Sequence, residues 1–127
     1  MKRLLLDTEA FIWWDADDPR LGPRARASVR DADEVYVSAA SAWEIAIKQS
    51  LGKLQTTRDP SRAAADGGFV ALPISFQHAA AIRDLASHHR DPFDRLIIAA
   101  ARVEGLAIVT SDDQFGPYGV PLLDARE

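Results

Sequence analysis

The sequence predicts an α/β fold in which helices cover both faces of a central parallel β-sheet. Three observations support this prediction. Short apolar runs without polar interruption, such as Leu4–Leu6, are typical of strands that are buried on both faces. These runs alternate along the chain with segments of helical length, which indicates right-handed crossover connections. With 127 residues, 47% of them hydrophobic, the chain fits one domain over residues 1–127 that buries a substantial core.

The N-terminal half predicts two strands, each followed by a helix. After the strand Leu4–Leu6, the apolar segment Thr8–Trp14 predicts a short helix that ends at an Asp- and Pro-containing turn. A small polar helix is expected at Pro23–Arg30, because proline is favoured in the first turn of a helix. The β-branched and aromatic triplet Val35–Val37 predicts the second strand. A helix that ends near Gly52 is expected after Ser38.

The C-terminal half predicts three further strands and two well-defined helices. Leu54–Gly68 is expected to contain a turn and a weak helix. The expected strands are Phe69–Leu72, Ala107–Val109 and a short edge strand at Val120–Leu123. The expected helices are an amphipathic one at Ser75–Ser87 and a strongly apolar one at Phe93–Val103.

Apolar spacing also predicts which helix sides face the core. Trp43, Ile47 and Leu51 recur at steps of four, and Ala39, Ala40 and Ala46 join them on the predicted buried side. The Ser75–Ser87 helix is expected to bury Phe76, Ala79, Ala80, Ile82, Leu85 and Ala86. Trp13 and Trp14 are adjacent and cannot both face one core, so one of them is expected to be partly exposed or covered by a partner.

Composition excludes several function classes. There is no cysteine, which rules out disulfides, thiolate metal sites and cysteine nucleophiles. No apolar run approaches the roughly 20 residues that span a bilayer, and the run after Lys2-Arg3 is too short for a signal peptide, so we expect a cytoplasmic protein without membrane contact. The net charge of −4 argues against a general nucleic-acid coat, unless several acids are concentrated in a metal site.

Four acids stand at the ends of predicted elements: Asp7, Glu44, Asp94 and Asp112. Helices that follow parallel strands begin at the carboxyl edge of the sheet, so Asp7, Glu44 and Asp112 are expected to share that edge. A cluster of carboxylates is unfavourable unless cations or protons offset the repulsion. Hard divalent ions such as Mg²⁺ prefer carboxylate oxygens and can activate water for phosphoester hydrolysis. The sequence therefore favours metal-dependent phosphoester chemistry.

Each acid also has an ordinary structural explanation. Asp7 could cap the following helix, and Asp112 and Asp113 could be turn residues. Glu44 could form a capping box with Ser41 or pair with Lys48 one turn later. Asp91 before Pro92 reads mainly as an N-cap, which would put Asp94 in the first turn, where acids favour the helix dipole.

Four sequence blocks resemble the PIN-domain ribonucleases, and among them the VapC toxins of bacterial toxin–antitoxin pairs. The blocks are Leu4–Thr8, Ser41–Ile45, Asp91–Ala101 and Val109–Phe115, of which Asp91–Ala101 is the most specific. The resemblance covers essentially the whole chain. It implies a three-layer α/β/α PIN-like fold with a parallel sheet in the order 3-2-1-4-5, which would bring Asp94 into the same crevice as the other acids.

The resemblance also implies roles and partners. Asp7 and Asp94 would be direct ligands of Mg²⁺ or Mn²⁺, Asp112 would complete the metal shell through water, and Glu44 would orient metal-bound water. Thr8 would hold a carboxylate or the scissile phosphate, and Asp113 could share the role of Asp112. Members of this family form homodimers and are silenced by a VapB-type antitoxin in heterotetramers or larger complexes. Glu9 departs from the family pattern and adds a carboxylate near the site.

Other polar residues give weaker signals. Arg95 could bind a backbone phosphate or pair with a carboxylate, and Lys48, Lys53 and Arg58 could form a basic track for RNA or a solvated helix end. The histidines, His78, His88 and His89, lack metal-ligand spacing. We expect His88 and His89 to be solvated loop residues, with contact to RNA phosphate as the alternative.

Two other functions stay open at this level. A phosphatase of the haloacid-dehalogenase type would use Asp7 as its nucleophile, but such enzymes need a second aspartate two positions on, where this chain has Glu9. A PIN-like module that binds without catalysis is the other alternative. The intact set of four acids argues against it.

Overall fold

The computed structural model describes residues 2–54, 58–87 and 89–127. The elements, in chain order, are β1 (Arg3–Leu6), α1 (Thr8–Asp15), α2 (Pro23–Asp31), β2 (Glu34–Ser38), α3 (Ala39–Ser50), α4 (Pro60–Gly67), β3 (Val70–Leu72), α5 (Phe76–Ala81), a 3-10 turn (Ile82–Asp84), α6 (Pro92–Glu104), β4 (Ala107–Thr110), a second 3-10 segment (Asp113–Tyr118) and β5 (Leu122–Asp124). Among the described residues, no helix combines the length and apolarity needed to cross a bilayer.

The five strands form one parallel sheet in the order β3-β2-β1-β4-β5, which confirms the predicted fold class. β1 is the central strand, and its Leu5 pairs with Tyr36 of β2 on one side and Ile108 of β4 on the other. The strand order reverses between β1 and β4, and in such sheets the crevice at the carboxyl ends of these two strands is the usual ligand site.

The side-chain alternation of β1 divides the core into two layers. Leu4 and Leu6 pack on one face with Phe11 and Trp13 of α1, whereas Leu5 packs on the other face with Ile98 of α6. All three leucines are at most 1% exposed. Burying each of them stabilises the fold by about 1.5–3 kcal/mol, which explains why β1 reads as an uninterrupted apolar run.

The bounds of α6 follow from local chemistry. Asp91 caps it, because its Oδ1 accepts hydrogen bonds from the amides of Phe93 (2.9 Å) and Asp94 (3.1 Å), as the Asp91-Pro92 pair predicted. Gly105 adopts φ 70° at the C-terminal end, a conformation that costs glycine little. β4 begins two residues later, so α6 runs antiparallel to β4 and its first turn lies at the carboxyl edge of the sheet.

The predicted buried side of α3 is correct only in part. Trp43 is 55% exposed and Leu51 is 61% exposed, and Ile47 also reaches solvent. The helix buries Ala40, as expected, together with Ser41 and Ile45.

The predicted Ser75–Ser87 helix is too long, and of the side chains expected to be buried only Leu85 is fully in the core, beyond the end of α5. α5 ends at Ala81, and Phe76, expected in the core, is 96% exposed. The buried residue of α5 is His78, which forms a capping box with Ser75. The tryptophan pair divides as expected: Trp13 is buried, whereas Trp14 is half-buried against the ring of Phe69.

Candidate active site

A crevice of about 140 Å³ lies at the carboxyl edge of the sheet, where the order of strands reverses. Its lining residues are Asp7, Thr8, Glu9, Ile12, Glu44, Lys48, Asp94 and Asp112. The four acids that the sequence predicted as a site thus lie around one cavity. Their chemical roles stay a prediction.

Asp7 serves as a helix cap and as a wall of the crevice at the same time. Its Oδ1 accepts a hydrogen bond from the amide of Ala10 (2.8 Å), and its Oδ2 accepts one from Oγ1 of Thr110 (2.6 Å). The side chain is deeply buried, and this burial raises the pKa of the carboxyl to about 6. The capping explanation is therefore correct but does not exclude a functional role.

Asp94 has the most perturbed carboxyl of the crevice. Burial raises its pKa to about 8, and the negative charges of Asp91, Asp7 and Glu44 act in the same direction. Its place follows from the direction of α6, whose first turn lies at the carboxyl edge. At neutral pH this carboxyl is mostly protonated in the absence of a cation.

α3 contributes Glu44 and Lys48, whose Oε2 and Nζ atoms form an ion pair at 3.0 Å. This pair was predicted from the spacing, whereas the predicted capping box was wrong. Ser38 is the N-cap of α3, and Ser41 is buried in the first turn, where it accepts a hydrogen bond from Oγ1 of Thr8 (2.9 Å). Thr8 thus links the start of α1 to α3 inside the crevice.

Asp112 follows β4 and is held by three contacts. Its amide donates to Oγ1 of Thr110 (3.0 Å), its Oδ1 accepts from the amide of Gln114 (2.9 Å), and its Oδ2 lies 3.0 Å from Nε2 of His89. The neighbouring Asp113 is exposed and is not among the residues that line the crevice.

Arg95 does not line the crevice either. Its guanidinium donates to the backbone carbonyls of four residues that precede α6, at 3.0–3.4 Å: Ile82, Leu85, Ala86 and His89. This arrangement fixes the chain between α5 and α6. It engages both terminal nitrogens of the guanidinium, which had been considered for binding a phosphate. In the basic track, Arg58 pairs with Asp15 and Asp66.

His89 is the site residue that the sequence analysis missed. It was expected to be solvated, but it is 7% exposed, and its Nε2 lies 3.0 Å from Oδ2 of both Asp94 and Asp112. His88 and His89 are adjacent and lack metal-ligand spacing, so the sequence did not distinguish His89 from an ordinary solvated loop residue. His88, predicted with it, lies outside the described residues.

The donor set fits a hard divalent cation. Carboxylate oxygens of Asp94 and Asp112 lie within 4.8 Å of each other and of a ring nitrogen of His89, and Asp7 and Glu44 line the same crevice. Carboxylate oxygens are the ligands that Mg²⁺ and Mn²⁺ prefer. Burial, followed by the neighbouring negative charges, raises the pKa values of Asp7 and Asp94, and a bound cation would favour the charged form of both carboxyls.

Comparisons with known proteins identify the family of this chain. The family model for the PIN domain matches residues 4–119. Ribonuclease VapC22 from Mycobacterium tuberculosis is 31% identical over 138 residues, which cover 95% of this chain and 95% of that protein.

Solved structures share the fold at lower identity. VapBC2 from Rickettsia felis, bound to a DNA fragment from its promoter, superposes with a TM-score of 0.70 at 13% identity, covering 95% of this chain and 97% of that one. VapC20 from Mycobacterium tuberculosis, a toxin that cleaves the sarcin-ricin loop, gives a TM-score of 0.65 at 17% identity, with 92% and 95% covered.

Proposed function

The chain belongs to the PIN-domain family, and from this premise we propose that it is a Mg²⁺- or Mn²⁺-dependent endoribonuclease, the toxin of a VapBC-type pair. The single observation that carries the proposal is the crevice in which Asp7, Glu44, Asp94 and Asp112 meet. Burial and mutual repulsion raise the pKa of two of these carboxyls, as expected for a site built to receive a cation.

Asp7 and Asp94 are proposed as direct ligands of the cation, with Asp112 supporting the shell through water. When bound, the cation lowers the pKa of a coordinated water and offsets the charge of the phosphodiester. The hydrogen bonds to Asp7 from Ala10 and Thr110 hold the carboxylate in one orientation. An anchored carboxylate suits a ligand better than a nucleophile that must approach phosphorus, so this detail favours hydrolysis by water over a phosphoaspartate.

Glu44 is proposed to orient the attacking water by accepting a hydrogen bond from it. Its ion pair with Lys48 fixes the carboxylate at the crevice wall, and Lys48 brings a positive charge close to the path of an RNA phosphate. Thr8 is held by Ser41 at the same wall. Water attacks phosphorus in line and the bond to the 3′ oxygen breaks, which leaves a 5′-phosphate and a 3′-hydroxyl.

The proposed partners are a VapB-type antitoxin and a second copy of the chain, in a heterotetramer or a larger complex. Solved relatives include VapBC complexes, which supports a protein partner. The outer side of α3 also supports it, because Trp43, beside Glu44, and Leu51, at the end of the helix, expose large apolar surfaces. A small gene next to this one is expected to encode the antitoxin, and co-expression of the two should yield a stable complex by size-exclusion chromatography.

Incubation of the purified protein with total RNA tests the activity. Cleavage is expected with Mg²⁺ or Mn²⁺, and none with EDTA. Asp94→Asn should abolish cleavage, because it removes a proposed ligand. Asp31→Asn is the matched control, because Asp31 is an exposed acid at the end of α2. This variant should cleave RNA like wild type. Equal cleavage by wild type and Asp94→Asn would contradict the site assignment.

A further inference from the structure

His89 is held in one orientation by contacts on every side. Its amide donates to Oη of Tyr118 (2.6 Å), and its carbonyl accepts from Arg95 (3.1 Å). Its ring packs edge-on against Phe115, with 5.5 Å between ring centroids. Its Nδ1 accepts a hydrogen bond from the amide of Asp91 (3.2 Å). A ring fixed by so many partners is built to present its remaining nitrogen, Nε2, at a defined point.

The contact with Asp91 determines which ring nitrogen carries the proton. A backbone amide can only donate, so Nδ1 of His89 must be the acceptor, and in the neutral ring the proton is then on Nε2. Nε2 lies 3.0 Å from Oδ2 of Asp94 and 3.0 Å from Oδ2 of Asp112. The ring therefore has one N–H, which the carboxylate oxygens of Asp94 and Asp112 share as acceptors.

The same argument excludes His89 as a metal ligand. Metal binding at Nε2 would require the ring proton to move to Nδ1, where it would face the amide proton of Asp91. Two donors would then oppose each other in a partly buried position, which is unfavourable.

We propose that His89 is a positioning residue, which donates its Nε2–H to Asp94 and Asp112 and so fixes both carboxylates for a divalent cation without binding the cation itself. This inference deepens the proposed function and rests on it. An N–H between two carboxylates reduces their mutual repulsion but keeps their full negative charge available to the cation. Residues that support ligands in this way typically change metal affinity by about 10–100-fold when they are replaced.

Mn²⁺ binding to the purified full chain, measured by calorimetry, tests the proposal with three variants. His89→Phe keeps a ring against Phe115 but removes the donor, and should weaken Mn²⁺ binding by about 10–100-fold. His89→Gln restores an N–H donor and should recover most of the affinity. His78→Phe is the matched control, because His78 is equally buried but faces Glu104, away from the crevice; it should bind Mn²⁺ like wild type.

The outcomes separate the inference from the proposed function. Unchanged Mn²⁺ affinity in His89→Phe, or equally weak binding in His89→Gln and His89→Phe, would overturn the positioning role and leave the metal-dependent function standing. Absence of Mn²⁺ binding to wild type would instead refute the metal-dependent function.

A second measurement does not depend on how the variants fold. Nitrogen-15 NMR of the histidine rings in wild type should show Nε2 of His89 protonated both before and after Mg²⁺ is added. A loss of this proton on addition of Mg²⁺ would identify His89 as a ligand and overturn the proposal.

Discussion

His78 and His89 show the same local geometry at opposite ends of α6. In each, Nδ1 accepts a hydrogen bond from a nearby backbone amide at 3.2 Å, and Nε2 faces carboxylate oxygen at 2.8–3.0 Å. They differ in what they face. His78 meets one carboxylate, that of Glu104, whereas His89 meets two carboxylates that line a crevice with further acids.

The difference shows how one structural device serves packing or chemistry. The pair of His78 and Glu104 joins α5 to the end of α6, and water can solvate the rest of the carboxylate. Around His89 the negative charges exceed the donors, so the cluster is satisfied only when protons or a cation are added. A buried histidine beside an acid is therefore not in itself a sign of function, and the number of carboxylates it meets decides.

The largest expected effect is a difference in RNA cleavage between two variants, each of which replaces a carboxylate that one of the two histidines faces. Asp112→Asn should lower RNA cleavage by more than about 100-fold, because it removes charge from the cation site. Glu104→Gln should cleave at the wild-type rate. Initial rates on a labelled RNA with Mg²⁺ measure both, and a comparable loss in the two variants would remove the distinction between the ends of α6.

The second expected effect is a pH dependence at the His89 end. The pKa of Asp94 is about 8 instead of the ordinary 3.8, so the folded protein holds this proton more tightly than the unfolded chain does. In the metal-free protein, this carboxyl therefore makes the free energy of unfolding fall as pH rises from about 4 to about 8.

Metal affinity should change in the opposite direction, because the cation must displace this proton. Mn²⁺ binding should tighten by roughly tenfold per pH unit between about pH 6 and 8. Calorimetry at several pH values measures the slope. Glu104→Gln should keep the wild-type slope, and a pH-independent affinity in wild type would show that Asp94 is already ionised.

The third effect concerns stability, and the loss should be larger when His78 is replaced than when His89 is replaced. His78→Phe leaves the amide of Ser75 and the carboxylate of Glu104 without their partner and should lower the free energy of unfolding by about 1–3 kcal/mol. His89→Phe should lower the free energy of unfolding by less, because water that enters the crevice can hydrogen-bond to the groups that His89 leaves unpaired. Urea unfolding measures both, and a larger loss for His89→Phe would reverse the assignment of roles.

The smallest effect tests the cap beside His78. Ser75→Ala removes the side chain that accepts from the amide of His78 (3.0 Å) and should cost about 1 kcal/mol, the usual value for an N-cap. A lowered Tm with unchanged Mn²⁺ affinity is expected. A change in metal affinity would mean that the two ends of α6 are coupled.

The fold was largely predictable because its signals are local. Strands buried on both faces must be apolar throughout, so Leu4–Leu6 could be identified as a strand without knowledge of its partners. Asp91 before Pro92 marked the start of α6 because capping and the proline restriction act within a few residues. The resemblance to the PIN-domain family then supplied the strand order, which no local signal contains.

The failures concern choices that only tertiary packing makes. Apolar residues lie on several sides of α3, and periodicity could not show that Ile45 would be buried while Trp43 stays exposed. Arg95, for which phosphate and carboxylate contacts were both left open, donates to backbone carbonyls that the sequence does not place beside it. His89 was missed for the same reason, since Asp112 lies 23 positions away.

The central position of β1 has a kinetic consequence. Asp7 follows β1 directly, yet the hydroxyl that orients it belongs to Thr110, 103 positions later. β1 also pairs with β4, so its second neighbour in the sheet comes from a distant part of the chain. Pairings this distant are slow to form. The acids of the crevice therefore remain apart until late in folding, and the crevice forms only when β4 joins β1.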